Sequence, residues 1–331
     1  MNLARLASKK SLVPAVLVLV AVLLATVPLY GSLGTMTLLL NFLMYMVLAV
    51  SWAMFSGPTG YISLASAAFF GIGVYTPALL YAEGAPLLPL PLVIIIAGLV
   101  ALCCALVIGA ATLRLRGIFF TMFTFGLIGA STPIIQYFEF ETHGARGRYI
   151  QSIGIDNVYY LMLITFVAVM AIVYLLRRSR YGLALQGIGQ NEEAAAHMGV
   201  DTTRMKVITF GISGIFMGIT GAIMALSWKY VDPSTAFNLN YSFLPLLMAL
   251  VGGMGQLYGP VIGALGFAYL RYELLSNAAR YYMLIFGIIM IVFILFLPGG
   301  LASLIEKGRN RLREVIARLV KGGEAGQHAN T

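Results

Sequence analysis

Charged residues are scarce in this sequence, and their scarcity excludes a soluble protein. Asp, Glu, Lys and Arg make up 10% of the 331 residues, hydrophobic residues make up 60%, and the mean hydropathy is +0.92. An ordinary globular chain carries about 25% charged residues. Because so few ionic groups cannot solvate a surface of this size, we expect an all-α integral membrane protein.

Cysteine and the motifs of enzyme chemistry are also lacking. The two cysteines, Cys103 and Cys104, are adjacent in an apolar stretch, which gives neither a disulfide framework nor a metal-ligand spacing. The sequence contains no Walker A phosphate loop, and none of its three histidines lies in an H-E-x-x-H motif. We therefore predict no catalytic residues, no bound metal and no cofactor, and a membrane enzyme is disfavoured.

Carboxylates and histidines are missing from the centres of the apolar segments. Proton-coupled carriers usually hold such groups within the membrane, because a proton relay needs a titratable group at depth. Sodium coupling through backbone carbonyls is not excluded, because it requires no titratable side chain within the membrane. If the protein moves a solute against its gradient, we expect the energy to come from another subunit.

Long apolar runs dominate what is present. A helix needs about 20 apolar residues to cross the hydrocarbon core. The stretch 243–255 is short for this, and 60–82 contains serines and glycines, so either could be a broken or re-entrant helix. The ten predicted spans are 12–30, 35–55, 60–82, 92–112, 118–137, 158–176, 207–228, 243–255, 258–275 and 281–297.

The basic residues indicate the orientation of these spans. Sixteen of the 21 Lys and Arg residues fall on the side that holds both termini, which predicts that the termini are cytoplasmic. This topology accounts for the net charge of +9 without nucleic-acid binding. We expect a cytoplasmic N-tail at 1–11, a transmembrane domain at 12–300 and a cytoplasmic tail at 301–331. Within that tail, 307–321 is predicted to be an amphipathic helix on membrane lipid.

The longest cytoplasmic polar segment, 177–206, contains a short predicted helix. Asn191 can cap its start, and Gly199 can end it in the left-handed conformation. Asp201 can then cap the helix that follows. Because a helix of about seven residues is unstable alone in water, it needs a surface to dock on, either on this protein or on a partner.

Glycines align on one face of the predicted span 207–228. Such a face lets helices approach closely in lipid. We expect tight helix packing within one bundle, with a dimer interface or a sliding gate as alternatives. These helix-packing glycines recur at i, i+3, i+7 and i+10, as Gly211, Gly214, Gly218 and Gly221.

Four segments of the sequence together resemble the LivM-type permeases of branched-chain amino acid ABC importers, whose sister group is the LivH-type permeases. These segments are residues 60–80, 113–126, 178–200 and 243–264. The resemblance runs from about residue 35 to Leu301. It implies a ten-helix bundle similar to the vitamin B12 and ribose permeases, in a bacterial inner membrane. It also implies a second, LivH-like permease, two cytoplasmic ATPases that bind the ATP, and a periplasmic solute-binding protein.

The segment 177–206 carries the front half of the EAA signature through which ABC-importer permeases engage their ATPases. The downstream I-x-L-P half is missing, because residues 209–212 read Thr-Phe-Gly-Ile. On this resemblance, the ATPase-coupling residues are Glu192, Glu193, Ala194, Ala195 and Gly199.

Departures from the family pattern leave the solute open. Relatives commonly read G-Q-V-S-L-G-H-A where this chain reads GYISLASA at 60–67, and T-G-G-S-x-G where it reads THGARG at 142–147. Branched-chain amino acids, aromatic acids, amides and urea are all candidate solutes. Our hypothesis for polar contacts along the solute path names Ser63, Ser66, Thr142 and His143.

We therefore expect the permease subunit of an ABC uptake system for amino acids or related small solutes. The alternative is a stand-alone secondary transporter or channel, which would transport its solute without any ATPase. A membrane anchor is disfavoured, because ten spans are more than anchoring needs.

Overall fold

The computed structural model describes residues 22–81, 88–115, 117–143, 147–150, 153–296 and 300–303. Most of the first predicted span, and the amphipathic helix predicted at 307–321, lie outside these residues. The described residues fall into two compact units, Met1–Leu246 and Leu247–Thr331, which we call unit 1 and unit 2.

Helices account for nearly all of the regular structure in both units. Residues 22–26 are helical and are followed by a short 3-10 turn at Val27–Leu29. Ser32 then caps the first long helix by accepting a hydrogen bond from the Thr35 amide. The helices are α1 (Leu33–Thr59), α2 (Ser66–Leu80), α3 (Leu90–Thr112), α4 (Ile118–His143), α5 (Ile155–Arg178), α6 (Arg180–Gln190), α7 (Glu192–His197), α8 (Thr202–Ser227), α9 (Pro233–Ala236), α10 (Asn240–Gly252), α11 (Gly259–Asn277) and α12 (Tyr282–Phe296).

The length and apolarity of the long helical segments confirm a multi-pass, all-α membrane protein. Five of the long apolar segments correspond to predicted spans, and the sixth takes in most of the predicted stretch 243–255. Shorter apolar helices lie at Ser66–Leu80 and Leu284–Phe293. Among the described residues, the six segments able to cross a membrane are Leu33–Thr59, Leu90–Thr112, Ile118–Glu141, Ile155–Arg178, Thr202–Ser227 and Pro233–Gly252.

Unit 1 is assembled around α8, which packs against α1, α2, α3 and α5. A Cβ atom on Gly73 of α2 would overlap the carbonyl oxygen of Gly218, and one on Gly221 would overlap the carbonyl oxygen of Phe70. Gly218 also lies directly against Ala101 of α3. The backbones of α2 and α8 are therefore in direct contact, as glycine allows.

The other two glycines of the predicted face lie against α3. A Cβ on Gly211 would come within 2.8 Å of the Leu106 side chain, and one on Gly214 within 2.8 Å of the Ala105 side chain. The glycine face of α8 thus lies entirely against α2 and α3 of the same unit.

A two-residue antiparallel ladder lies at the end of unit 1 where α4 and α8 finish. Strand β1 (Arg148–Tyr149) pairs with β2 (Tyr230–Val231). Near the end of α4, the buried Glu139 accepts a hydrogen bond from the Gly147 amide at 2.9 Å and lies 3.5 Å from the Arg148 Nε atom. These contacts tie the end of α4 to β1.

Residues 60–65, which we call the 60–65 segment, separate α1 from α2. Gly60 adopts a φ of +73°, and its amide donates to the Ser56 carbonyl oxygen, which ends α1. The next helix begins only at Ser66. The first six residues of the span predicted at 60–82 are therefore not helical.

The polar segment 177–206 contains a second helix, α6, which the sequence does not predict. Leu185 and Ile188 of α6 are buried and form a small core with Ala195 of α7. A Cβ on Gly189 would overlap the carbonyl oxygen of Pro58, so α6 lies directly on the end of α1. The docking surface that α7 requires is therefore provided, on its inner side, by this protein itself.

The predicted ends of α7 are confirmed. The Asn191 side chain accepts a hydrogen bond from the Ala194 amide at 3.0 Å, which caps the start. Gly199 adopts a φ of +85° just beyond the last turn. Asp201 caps α8 by accepting from the Arg204 amide at 3.0 Å.

Unit 2 contains the end of α10 together with α11 and α12. A Cβ on Gly263 of α11 would overlap the carbonyl oxygen of Met248 in α10, so α10 and α11 meet at their backbones. The ring of Phe267 packs edge-on against Phe286 and Phe293 of α12, with centroid distances of 5.9 and 5.4 Å.

Candidate coupling site

A buried lysine lies where the start of α7 meets the start of α8. Lys206, in the second turn of α8, is 1% exposed. Its Nζ atom donates hydrogen bonds to Glu192 Oε1 at 2.7 Å, to the Tyr61 hydroxyl at 3.1 Å and to the Leu113 carbonyl oxygen at 3.2 Å. An ammonium group has three donors, so all of them are used. This satisfies the requirement that a buried charge be both paired and hydrogen-bonded.

Glu192, the first residue of α7, uses both of its carboxylate oxygens. Oε1 accepts from Lys206 and, at 3.2 Å, from the Thr202 hydroxyl, whereas Oε2 accepts from the Tyr61 hydroxyl at 2.6 Å. Burial alone would raise the pKa of Glu192. The hydrogen bonds from Lys206 and Tyr61, the charge of Lys206 and the hydrogen bond from Thr202 outweigh it and lower that pKa below its ordinary value. The carboxylate is therefore ionised at neutral pH.

Tyr61 contributes its ring as well as its hydroxyl. The Lys206 Nζ atom lies 4.4 Å from the ring centroid, and the ring packs edge-on against Phe120 of α4 at 5.7 Å. These contacts join the 60–65 segment, the end of α3, the start of α7 and the start of α8. We call the following residues the Lys206 cluster: Tyr61, Leu113, Glu192, Thr202 and Lys206.

The lowered pKa of Glu192 predicts a pH-dependent contribution to stability. A carboxyl whose pKa is lower in the folded than in the unfolded state stabilises the fold above its unfolded pKa, about 4.5, and loses this effect as the pH falls. We expect Glu192→Gln to lower the thermal unfolding midpoint at pH 7, with a difference from wild type that shrinks below about pH 4.5. Melting curves from pH 7 to 3.5 check this, and a constant difference across that range would contradict it.

A cleft of about 680 Å³ lies beside the Lys206 cluster, between the end of α1, the start of α4 and the end of α6. Because Tyr61 and Glu192 both line it, a movement of α7 relative to the 60–65 segment changes the shape of the cleft. The lining residues are Thr59, Gly60, Tyr61, Ile62, Gly117, Ile118, Thr121, Met122, Ile188, Gly189, Gln190, Asn191 and Glu192. In the part of the chain that the structure describes, no group of three His, Cys, Asp or Glu residues could hold a metal ion.

The side of α7 that faces away from α6 and the Lys206 cluster is exposed. Of the residues assigned to ATPase coupling, Ala195 points inward to the small core, and Glu192 points to the Lys206 cluster. Met198, just past the end of α7, is 85% exposed, and a methionine is an adaptable apolar contact residue. The exposed residues of this side are Glu193, Ala194, Ala196, His197, Met198 and Gly199.

The residues assigned to the solute path lie at opposite ends of unit 1. Ser63 and Ser66 are buried at the start of α2. Thr142 and His143 end α4, whose first turns contact the 60–65 segment through Thr121. Thr142 therefore lies about 30 Å farther along that helix.

Tyr61 and Lys206 have no functional role in the sequence-based assignment, in which Lys206 counts only as a cytoplasmic charge. One sequence pattern does indicate that Lys206 is buried. Phe210 and Ser213 follow Lys206 by one and two helical turns, and all three lie on the buried face of α8. A cation on such a face requires partners. Glu192 and Tyr61 are 14 and 145 residues away, so no local pattern identifies them.

Comparison with known proteins identifies the family. A family model described as the permease component of the branched-chain amino acid transport system matches residues 34–294. The chain belongs to this family. It is 27% identical over 323 residues to the high-affinity branched-chain amino acid transport system permease protein LivM of Escherichia coli (strain K12). This match covers 86% of this chain and 74% of LivM. The resemblance to LivM-type permeases is thus confirmed, and the chain is a permease.

Other relatives match part of the chain. The permease protein LivH of the E. coli high-affinity branched-chain amino acid system is 26% identical over 146 residues, or 43% of this chain and 46% of LivH. The ribose import permease protein RbsC of E. coli is 26% identical over 149 residues, again 43% of this chain and 46% of RbsC. No solved structure matches the chain.

Proposed function

We propose that this permease is the transmembrane subunit of an ABC importer and that α7 is the helix through which it engages its ATPases. The observation that carries this proposal is the placement of α7. One side of the helix is bonded to the bundle through Glu192 and Lys206, and the other side is exposed. A helix of six residues is not stable by itself. The Lys206 cluster and α6 hold it in shape, so that it can act as a rigid docking surface.

Family membership supports the rest of the assembly. We propose a second, LivH-like permease beside this chain, two cytoplasmic ATPases that bind and hydrolyse ATP, and a periplasmic binding protein that delivers the solute. The chain itself performs no covalent chemistry. We propose that its transmembrane domain has the ten helices that the sequence predicts. The six long apolar segments, the two shorter apolar helices and α11 would supply nine of them.

For the solute, we propose branched-chain amino acids or related small solutes. The names of the LivM and LivH relatives support this class. Within the described part of the chain, the buried Ser66 hydroxyl has no hydrogen-bond partner. Because a buried hydroxyl needs a partner, we propose that the bound solute supplies one. The neighbouring Ser63 hydroxyl accepts a hydrogen bond from the Ala65 amide at 3.2 Å, which fixes the backbone before Ser66.

The exposed methionine provides the test of ATPase docking. We expect Met198→Ser to reduce the ATPase activity stimulated by loaded binding protein at least about tenfold, because an apolar anchor at the centre of an interface can contribute 2 kcal/mol or more. The measurement is ATP hydrolysis by the complete importer in proteoliposomes, with and without loaded binding protein.

The matched control is Leu183→Ser. Leu183 lies on the neighbouring helix α6 and is 64% exposed, so the substitution removes a similar exposed apolar side chain away from the exposed side of α7. We expect it to retain stimulated activity. Equal loss in both variants, or full activity of Met198→Ser, would contradict docking through α7.

Labelling from outside the cell tests the proposed orientation. Tyr149 of β1 is 81% exposed, and Met198 is 85% exposed, at opposite ends of unit 1. In a chain whose Cys103 and Cys104 are replaced by serine, we expect a membrane-impermeant maleimide to label Tyr149→Cys in intact spheroplasts. Met198→Cys should react only after the spheroplasts are permeabilised. The reverse pattern would place both termini and α7 outside.

A further inference from the structure

The 60–65 segment is held to α4 by side-chain hydrogen bonds rather than by a helical ladder. The Thr121 hydroxyl donates to the Ile62 carbonyl oxygen at 2.8 Å. The Thr124 hydroxyl oxygen accepts from the Leu64 amide at 3.1 Å. Non-helical backbone inside a membrane protein needs partners of this kind, because lipid offers none.

The same segment is bonded to α10 and α1. The Ser242 hydroxyl, in the first turn of α10, donates to the Leu64 carbonyl oxygen at 2.5 Å and accepts from the Ala67 amide at 2.8 Å. The Trp52 indole nitrogen of α1 donates to the Ser63 carbonyl oxygen at 2.7 Å. A displacement of the segment must therefore carry these helices with it or break buried hydrogen bonds.

The first side chain of this segment after Gly60 is Tyr61, whose hydroxyl bonds to Glu192 of α7 and to Lys206 of α8. A continuous series of contacts thus runs from α7, through Tyr61 and the 60–65 segment, to α4 and α10. We infer that Tyr61 is a positioning residue for transport: it carries the displacement of α7 into the 60–65 segment and from there into α4 and α10. This inference rests on the proposed docking of α7 on the ATPases.

The surroundings of Tyr61 suit such a link. The cleft of about 680 Å³ borders Tyr61 and Glu192, so the segment has room to move on that side. By contrast, α2 and α8 are close-packed backbone to backbone at Gly73 and Gly218, so no free space lies between them there. The free space for a displacement therefore lies beside Tyr61 and Glu192.

The test is Tyr61→Phe in the complete importer. This substitution removes the hydroxyl that joins the segment to Glu192 but keeps the ring that packs against Phe120 and Lys206. The control is Tyr159→Phe, which removes a buried hydroxyl that donates to the Leu24 carbonyl oxygen at 2.9 Å, outside the Lys206 cluster. The readout is uptake of radiolabelled leucine, isoleucine and valine per ATP hydrolysed, normalised to folded complex.

We expect Tyr61→Phe to lower uptake per ATP at least about fivefold, as the loss of a coupling contact would, and Tyr159→Phe to leave it unchanged. Equal losses in the two variants would show a purely structural role and overturn the inference. Full coupling in Tyr61→Phe, with stimulated hydrolysis lost in Met198→Ser, would overturn the link through Tyr61 and leave the docking of α7 standing. Full activity of Met198→Ser would instead overturn the docking itself.

Discussion

Alanine at Gly73 is expected to prevent α2 and α8 from packing and to reduce the yield of folded permease at least about tenfold. The added Cβ would overlap the Gly218 carbonyl oxygen, and Gly218 cannot retreat because it lies against Ala101 of α3. Overpacking a close-packed interior costs about 1–3 kcal/mol even when side chains can shift, and here a backbone atom must move. The measurement is the monodisperse fraction in detergent and its thermal unfolding midpoint.

The matched controls are Gly126→Ala and Gly129→Ala in α4. Nothing lies within 4 Å of a Cβ atom at either position, so the same chemical change meets open space. Alanine also favours a helix over glycine by about 1 kcal/mol. Both controls should therefore fold at least as well as wild type. A normal yield of Gly73→Ala would show that α2 and α8 do not meet at their backbones.

Replacing Lys206 by methionine should have the second large effect. The substitution keeps an unbranched apolar stem but removes the ammonium group, which leaves Glu192 without its counter-charge and the Leu113 carbonyl oxygen without its donor. Removing one partner of a buried ion pair costs about 3–5 kcal/mol. Because the Glu192 side chain is 18% exposed, water compensates in part, and we expect a loss of about 2–3 kcal/mol of unfolding free energy.

A second substitution separates the charge effect from packing. Adding Glu192→Gln to Lys206→Met removes the uncompensated carboxylate, so the double variant should regain part of the lost stability. Thermal unfolding of the wild type, both single variants and the double variant forms a complete double-mutant cycle. If the two single losses add without interaction, Lys206 and Glu192 do not form the pair that holds α7.

The sequence predicts α7 but does not predict α6. The difference is that the ends of α7 depend on local interactions, whereas α6 depends on packing against another helix. The start and end of α7 depend on Asn191 and Gly199, which act on backbone groups a few residues away. In α6, three glycines in eleven residues weaken the helical signal. That helix depends on burying Leu185 and Ile188 against α7, which no local pattern reveals.

The remaining differences depend on contacts between residues far apart in the chain. Apolarity predicts a span at 60–82, and its serines and glycines leave a broken helix open. Hydrogen bonds from Thr121 and Ser242 decide that the 60–65 segment is the non-helical part. Charge counting assigns Lys206 to the cytoplasmic surface, but Tyr61 and Glu192 bury it. Composition and periodicity therefore identify the membrane class and most helices, whereas the Lys206 cluster depends on pairings that form only in the folded protein.

Solute uptake with and without the ATPases tests whether this permease works as part of an ABC importer. The permease is reconstituted with its second permease in proteoliposomes, with loaded binding protein on one side and ATP on the side of α7. We expect radiolabelled leucine, isoleucine or valine to accumulate only when the ATPases and ATP are both present. Equal accumulation without the ATPases would contradict this expectation and would identify a stand-alone secondary transporter or channel.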